Sequence, residues 1–295
     1  MNEIILNIPT VNDDYEDFKN LFNIWNKVNN IDLKEFVVVF DFTKCKFLRQ
    51  NAVAFLGGII RFIQHRGGNV SFRMSTFRKK VHNNLIKNGF LNTLGIDSSS
   101  EPGNSVPYRE DKISDPDNII NYLNNMWLGN NWIHISDKLK DYIVGKVWEI
   151  YANAFEHSNS PIGIFSCGQH YPTKQELKLT VIDFGVGIPN KVKDHFKYFT
   201  LKNSKCLEWA FKSGTSTNNQ QNRGSRGLGL DFLKKFVKIN NGKLEMFSGG
   251  YVLIDKNNEK FLEPNFSFSG TIVNISLICN ESYYKLSSEG INNSF

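Results

Sequence analysis

Cysteine is scarce here: Cys45, Cys167, Cys206 and Cys279 are far apart, with no C-x-x-C pair. That argues against a zinc ribbon or a disulfide framework and fits a reducing cytoplasm. Cys167 and His170 form one C-x-x-H, but no second half-site follows, so strand packing is the better reading. Long apolar runs are also missing. The longest, near AVAFLGGII, is about half the ~18 residues that a membrane span needs. The opening MNEIILNIPTVNDDYED is acidic and lacks an apolar core, so no signal peptide is expected. There is no dense Lys/Arg run. FRKK at 77–80 comes nearest and reads as a solvated helix face, so nucleic-acid binding is not indicated. No internal repeat and no G-x-x-x-x-G-K-[ST] loop occurs, and no G-x-G-x-x-G follows a strand.

What is present is globular. Of 295 residues, 40% are apolar and 22% charged, which suffices to bury real cores. At roughly 150 residues per domain, two domains are expected. The net charge of +6 favours anionic partners, nucleotides included.

FVVVFDF (36–42) is an apolar, β-branched run that reads as a buried strand. Residues 51–68 space Val53, Phe55, Leu56, Ile59, Ile60 and Ile63 as a helix that stops at Gly67 and Gly68. NVSFRM (69–74) reads as a strand, and 77–96 as a helix broken at Gly89. The polar stretch 97–111, rich in Ser, Pro and Gly, is the best linker candidate. Residues 115–127 read as a short helix, and 136–158 as the longest helix, capped by Ser136. PIGIFSCGQH (161–170) and ELKLTVIDFG (176–185) read as strands. A Lys-rich irregular region follows to about 225, and a Gly-rich turn then feeds a helix that ends at Asn241 and Gly242. KLEMFS, YVLID, KFLEP and SGTIVNISL close the pattern as strands, and an Asn-rich tail is expected to fray.

Four pieces carry chemistry. EIYANAFEH (149–157) puts Glu149, Asn153 and His157 along one slowly turning helix stripe. A mid-helix Asn is a poor helix former. It is either a satisfied surface amide or a neutral oxygen ligand for Mg²⁺, with Glu149 one turn away to orient or deprotonate a nucleophile. VIDFGVGIP (181–189) ends a strand in Asp183, followed by Gly185 and Gly187. Asp183 is either a turn cap or an acceptor for an exocyclic amine such as adenine N6. KSGTSTNNQQNRGSRGLGL (212–230) is a hydroxyl- and amide-rich stretch whose glycines open a helix, a natural phosphate cradle. In SGTIVNISL (269–277), Thr271 starts a late strand.

Each piece is weak alone. In order, E-x-x-x-N-A-x-x-H, D-x-G-x-G-I, G-T-S-T, R-G-L-G-L and G-T-I-V-N-I-S-L resemble the GHKL ATPase superfamily over roughly residues 115–280. The resemblance implies a Bergerat-type sandwich, a mixed sheet covered by helices, that binds ATP and Mg²⁺. It makes Asn153 the magnesium ligand and Asp183 the adenine reader. Gly185, Gly187 and Ile188 form the first glycine box. Ser216 and Thr217 belong to a mobile lid, Arg226, Gly227, Leu228, Gly229 and Leu230 to the second glycine box, and Thr271 supplies a hydroxyl near adenine. NAFEHS is most similar to the anti-sigma-factor serine kinases, in which the Glu at the place of Glu149 is the presumed base. His157 then has a structural hydrogen bond as its better assignment.

VVVFDFTKCKFLRQNAVAFLGG, RGGNVSFRM and KKVHNNLIKNGFLNTLG resemble the STAS domain of anti-sigma-factor antagonists. Where that family carries its phosphoaccepting Ser, this chain has Arg49, Gln50 and Asn51, with no hydroxyl. The expectation is a cytoplasmic two-domain α/β protein: a STAS-like docking or regulatory domain over 1–104, a linker over 105–114, the ATPase domain over 115–280 and a disordered tail over 281–295. The implied function is an ATPase or serine/threonine kinase acting on a protein partner, itself STAS-like or sigma-factor-regulating. The alternative is an ATP-gated assembly switch, with room for a homodimer. No membrane contact is expected.

Overall fold

The computed structural model of the chain describes residues 2–31, 36–98, 101–212 and 228–290. Three strands open it, β1 (Asn2–Asn7), β2 (Phe36–Asp41) and β3 (Asn69–Phe72), paired in that order as a parallel sheet. The crossovers between them carry α1 (Tyr15–Asn29) and α2 (Gln50–His65). No expectation above covers β1 or α1. The apolar positions of α1, Phe18, Leu21, Phe22, Trp25 and Val28, nonetheless recur at helical spacing, and all are buried. Gly89, at φ +77°, separates α3 (Lys79–Lys87) from α4 (Phe90–Thr93).

The chain then runs through β4 (Ser105–Asp111), α5 (Pro116–Tyr122), β5 (His134–Ile135), α6 (Asp137–His157), β6 (Ile164–Tyr171) and β7 (Glu176–Asp183). There follow α7 (Ile188–Phe196), α8 (Asn203–Ala210) and α9 (Leu228–Ile239). The last strands are β8 (Lys243–Phe247), β9 (Tyr251–Asp255), β10 (Glu259–Leu262), β11 (Thr271–Ile278) and β12 (Tyr283–Tyr284). Seven of them form one sheet in the order β10-β9-β8-β11-β7-β6-β4. Every neighbouring pair in it is antiparallel, so the expected mixed sheet is corrected. The chain is of mixed α/β class. Among the described residues no helix is long and apolar enough to cross a membrane.

Side chains alternate across a strand, and here both faces are covered. On β7 and β11, Leu177, Leu179, Val181, Val273, Ile275 and Leu277 join the core beneath α6 and α9. Ile182 and Ile272 point the other way, into the core shared with α1 and α2. That second core is strongly aromatic. Phe22 stacks on Phe268 at 5.3 Å, Trp25 lies 5.3 Å from Phe184, and Phe18 lies 4.3 Å from Phe247. The helix α2 approaches so closely that a Cβ at Gly58 would run into the Phe184 ring, and one at Gly57 into Tyr108.

Two expected boundaries are corrected. Residues 105–111 are no linker but the edge strand β4, paired with β6. Pro107 sits where the register shifts between Val106 and Arg109, a place where a missing N–H costs the ladder nothing. Val106 and Tyr108 are buried beside it, and the Tyr108 N–H donates to the Asn88 carbonyl. The 281–295 tail is likewise ordered over its first part: β12 pairs with β5, and Ser136 Oγ donates to Glu289 at 2.7 Å. Residues 291–295 lie outside the described residues.

The N-terminal unit is therefore the second layer of one continuous core and not an independent module. Arg49, Gln50 and Asn51 are 5%, 3% and 1% exposed at the start of α2. Asn51 Nδ2 donates to Asp13, whose other carboxylate oxygen takes the Lys178 ammonium at 2.7 Å. Gln50 accepts from the Tyr171 hydroxyl, and Arg49 lies over the Tyr171 ring.

Candidate functional site

The stripe that opens the site is a product of α6. Ser136 caps the helix by accepting the Leu139 N–H. Leu139, Ile143, Val144, Val147 and Tyr151 turn into the core. The adjoining flank, at spacings of three and four, presents Lys146, Glu149, Ile150, Asn153, Ala154 and His157 to a cleft. This cleft encloses about 1150 Å³, its open mouth included. Its floor is Val181, Met246 and Val273, on the same faces of the sheet strands as the core beneath α6. Ile188, Lys191, Val192, Trp209, Ala210 and Leu230 close the far side.

Asp183 and Thr271 enter at the polar end. They are direct cross-strand partners in β7 and β11, so both side chains leave the sheet on the cleft side. Asp183 is 5% exposed, and burial pushes its carboxyl up to about 7. Hydrogen bonds from the Gly185 N–H at 2.9 Å and from the Thr271 hydroxyl and N–H act the other way. The Ile188 N–H donates to Ser248 Oγ at 2.8 Å, and Ser248 lies 3.1 Å from Thr271 Oγ1. Either hydroxyl of the Ser248–Thr271 contact can be the donor.

The glycines serve the protein's own backbone. A Cβ at Gly185 would strike the Ser158 carbonyl at the end of α6, where the Val186 N–H also donates at 2.7 Å. Gly187 has φ +76°, a left-handed conformation that glycine adopts without strain. These contacts lock the 184–188 loop across the end of α6.

Glu149 is not a solitary acid. Its Oε1 accepts from Lys146 Nζ at 2.6 Å, and its side chain keeps 31% exposure. The Asn153 side chain is exposed to the cleft. Glu149, Asn153, Asp183, Gly187, Ile188, Leu230 and Thr271 thus border one cleft, with Gly185 supporting Asp183 from behind. Leu228 and Gly229 begin α9, while Ser216, Thr217, Arg226 and Gly227 lie outside the described residues.

No protein-family model and no curated protein matches this chain. The site therefore rests on its geometry.

The sequence reading missed Lys146, Lys191, Trp209, Met246 and Ser248. Lys146 was within reach, since it continues the Glu149 stripe by one more turn. Ser248 and Trp209 carry no local signal and reach the site by tertiary folding alone.

Proposed function

We propose that the cleft binds ATP with magnesium and that the chain is a regulatory ATPase or serine/threonine protein kinase of GHKL type. The observation that carries this reading is the convergence of Asn153, Asp183 and Thr271, 118 positions apart in sequence, on one cleft floored by valines and a methionine. A flat apolar floor with a buried carboxyl at one end suits a purine with an exocyclic amine. A carboxyl near 7 accepts from that amine and, when protonated, donates to a ring nitrogen. Lys146 and Lys191 add positive charge to the cleft lining.

The donor set fits a magnesium ion that arrives on phosphates. Among the described residues no group of three or more His, Cys, Asp or Glu could hold a metal alone. Asn153 offers one neutral oxygen, which suffices where phosphates and waters complete the shell. Asn153 would hold that ion, which would supply neutralisation of the phosphate charge. Glu149, one turn from Asn153, orients the nucleophile and accepts its proton, the hydroxyl of a separate protein partner or a water. A STAS-like or sigma-factor-regulating protein is the partner class this reading favours.

One observation favours a second reading, an ATP-gated assembly switch without phosphotransfer. The positions where a STAS domain would accept phosphate are Arg49, Gln50 and Asn51, buried against the sheet. Calorimetry with a non-hydrolysable ATP analogue tests binding: 1:1 binding that strengthens with magnesium supports the proposal, and none overturns it. Labelled ATP with a candidate STAS-like protein then separates kinase from switch, by label on the partner or free phosphate alone.

A further inference from the structure

Beyond its positive charge Lys146 has been given no role, yet its surroundings are specific. It lies two helical turns before Asn153 and borders the same cleft. Its side chain is 13% exposed. Its ammonium bonds Glu149 Oε1 at 2.6 Å and sits 5.2 Å from the Tyr142 ring centroid. A second lysine, Lys191, borders the cleft from α7. An ordinary i,i+3 pair on a solvated helix face would explain the bond, but not why both partners line the cleft.

We propose that Lys146 is a positioning residue shared between Glu149 and the anionic end of the ligand. The inference rests on the nucleotide reading above. A helical Lys–Glu pair is weak and easily exchanged. A lysine bond to phosphate is charge-assisted like the one to Glu149, but a triphosphate chain presents several negative charges where Glu149 presents one. Lysine also carries its charge on a flexible stem and can change partner without moving the backbone. A phosphate chain therefore draws the ammonium off Glu149. The carboxylate is then free to accept a proton when phosphate is present, and is neutralised by Lys146 otherwise. The pair thus ties the availability of the base to the occupancy of the phosphate end.

The test uses the full chain and two ligands, a non-hydrolysable ATP analogue and adenosine, by calorimetry. Lys146→Met is expected to weaken the analogue by about 10- to 100-fold, the worth of one charged hydrogen bond. Adenosine affinity stays within about twofold, which also shows that the variant is folded. Lys146→Arg restores most of the analogue's affinity. Glu149→Gln removes the competitor for Lys146 and tightens the analogue by about two- to fivefold, leaving adenosine unchanged. An analogue-to-adenosine ratio in Lys146→Met equal to that of wild type overturns the inference alone, as does an unchanged or weakened analogue in Glu149→Gln. A wild-type chain that binds neither ligand overturns the nucleotide reading and this inference with it.

Discussion

Substituting Asp183 by Asn tests the site most sharply, because it moves affinity and stability in different ways. The two side chains have the same shape. One oxygen is retained to accept the Gly185 N–H, now at 2.9 Å. The other becomes an amide that donates, and it meets an exocyclic amine as donor against donor. A buried hydrogen bond lost in this way costs about 1–3 kcal/mol, or roughly 5- to 150-fold in Kd. Stability follows another course. Burial raises the folded carboxyl from 3.8 to about 7, so the folded protein holds this proton more tightly than the unfolded chain. That contribution is fully present below about pH 3.8 and is lost as pH rises to about 7. Over that window wild type should lose up to ~4 kcal/mol relative to Asp183→Asn, whose amide does not titrate. Melting curves from pH 4 to 8 and calorimetry with ATP give the two readouts. Equal ATP affinity in both proteins would sink the adenine assignment. A wild-type-minus-variant difference that stays flat with pH would refute the burial argument.

Three further outcomes follow from the same geometry. Glu149→Ala should lower ATP turnover by about 10²–10⁴-fold without weakening ATP binding, and Asn153→Ala should lose the magnesium-dependent part of binding; wild-type turnover in Glu149→Ala ends the catalytic assignment. After incubation with labelled ATP, peptide mapping should find no phosphate over residues 41–60, and stoichiometric label on Thr43 would contradict this. Gly58→Val should cost about 1–3 kcal/mol by overpacking against Phe184, whereas Gly145→Ala, whose new methyl meets nothing within 4 Å, should stabilise the fold by the helix propensity gained, about 0.5–1 kcal/mol; equal effects on unfolding free energy in the two would refute the packing account.

The site was more legible than the frame around it. Glu149, Asn153, Asp183, Gly187 and Thr271 were named from residue type and order, and the fold brings them to one cleft; α6 carries a clean period with a Ser cap. The frame depends on partners distant in sequence. Pro107 marks a loop locally, yet an edge strand with a register shift tolerates it. The order in residues 283–289 comes from Ser136 and Glu289, 153 positions apart, which no window of sequence contains. The α1 helix was legible in principle from Phe18, Leu21, Phe22, Trp25 and Val28. Strand direction was not, since it is set by how the chain returns and not by residue type. Gly185 was assigned to a glycine box, and in the fold its missing side chain makes room for the Ser158 carbonyl.

The aromatic layer between α1, α2 and the large sheet bears on how this chain can be divided. Phe184, Phe247 and Phe268 belong by sequence to the C-terminal half, and they meet Trp25, Phe18 and Phe22. Each such ring buries about 150–250 Å². A fragment starting near residue 105 would turn three of these rings out to water directly behind Asp183, the residue that precedes Phe184. The two halves are thus not interchangeable cassettes: a recombinant fragment, or a graft of one half onto another scaffold, carries half of a dry interface and inherits its stickiness before it inherits any activity.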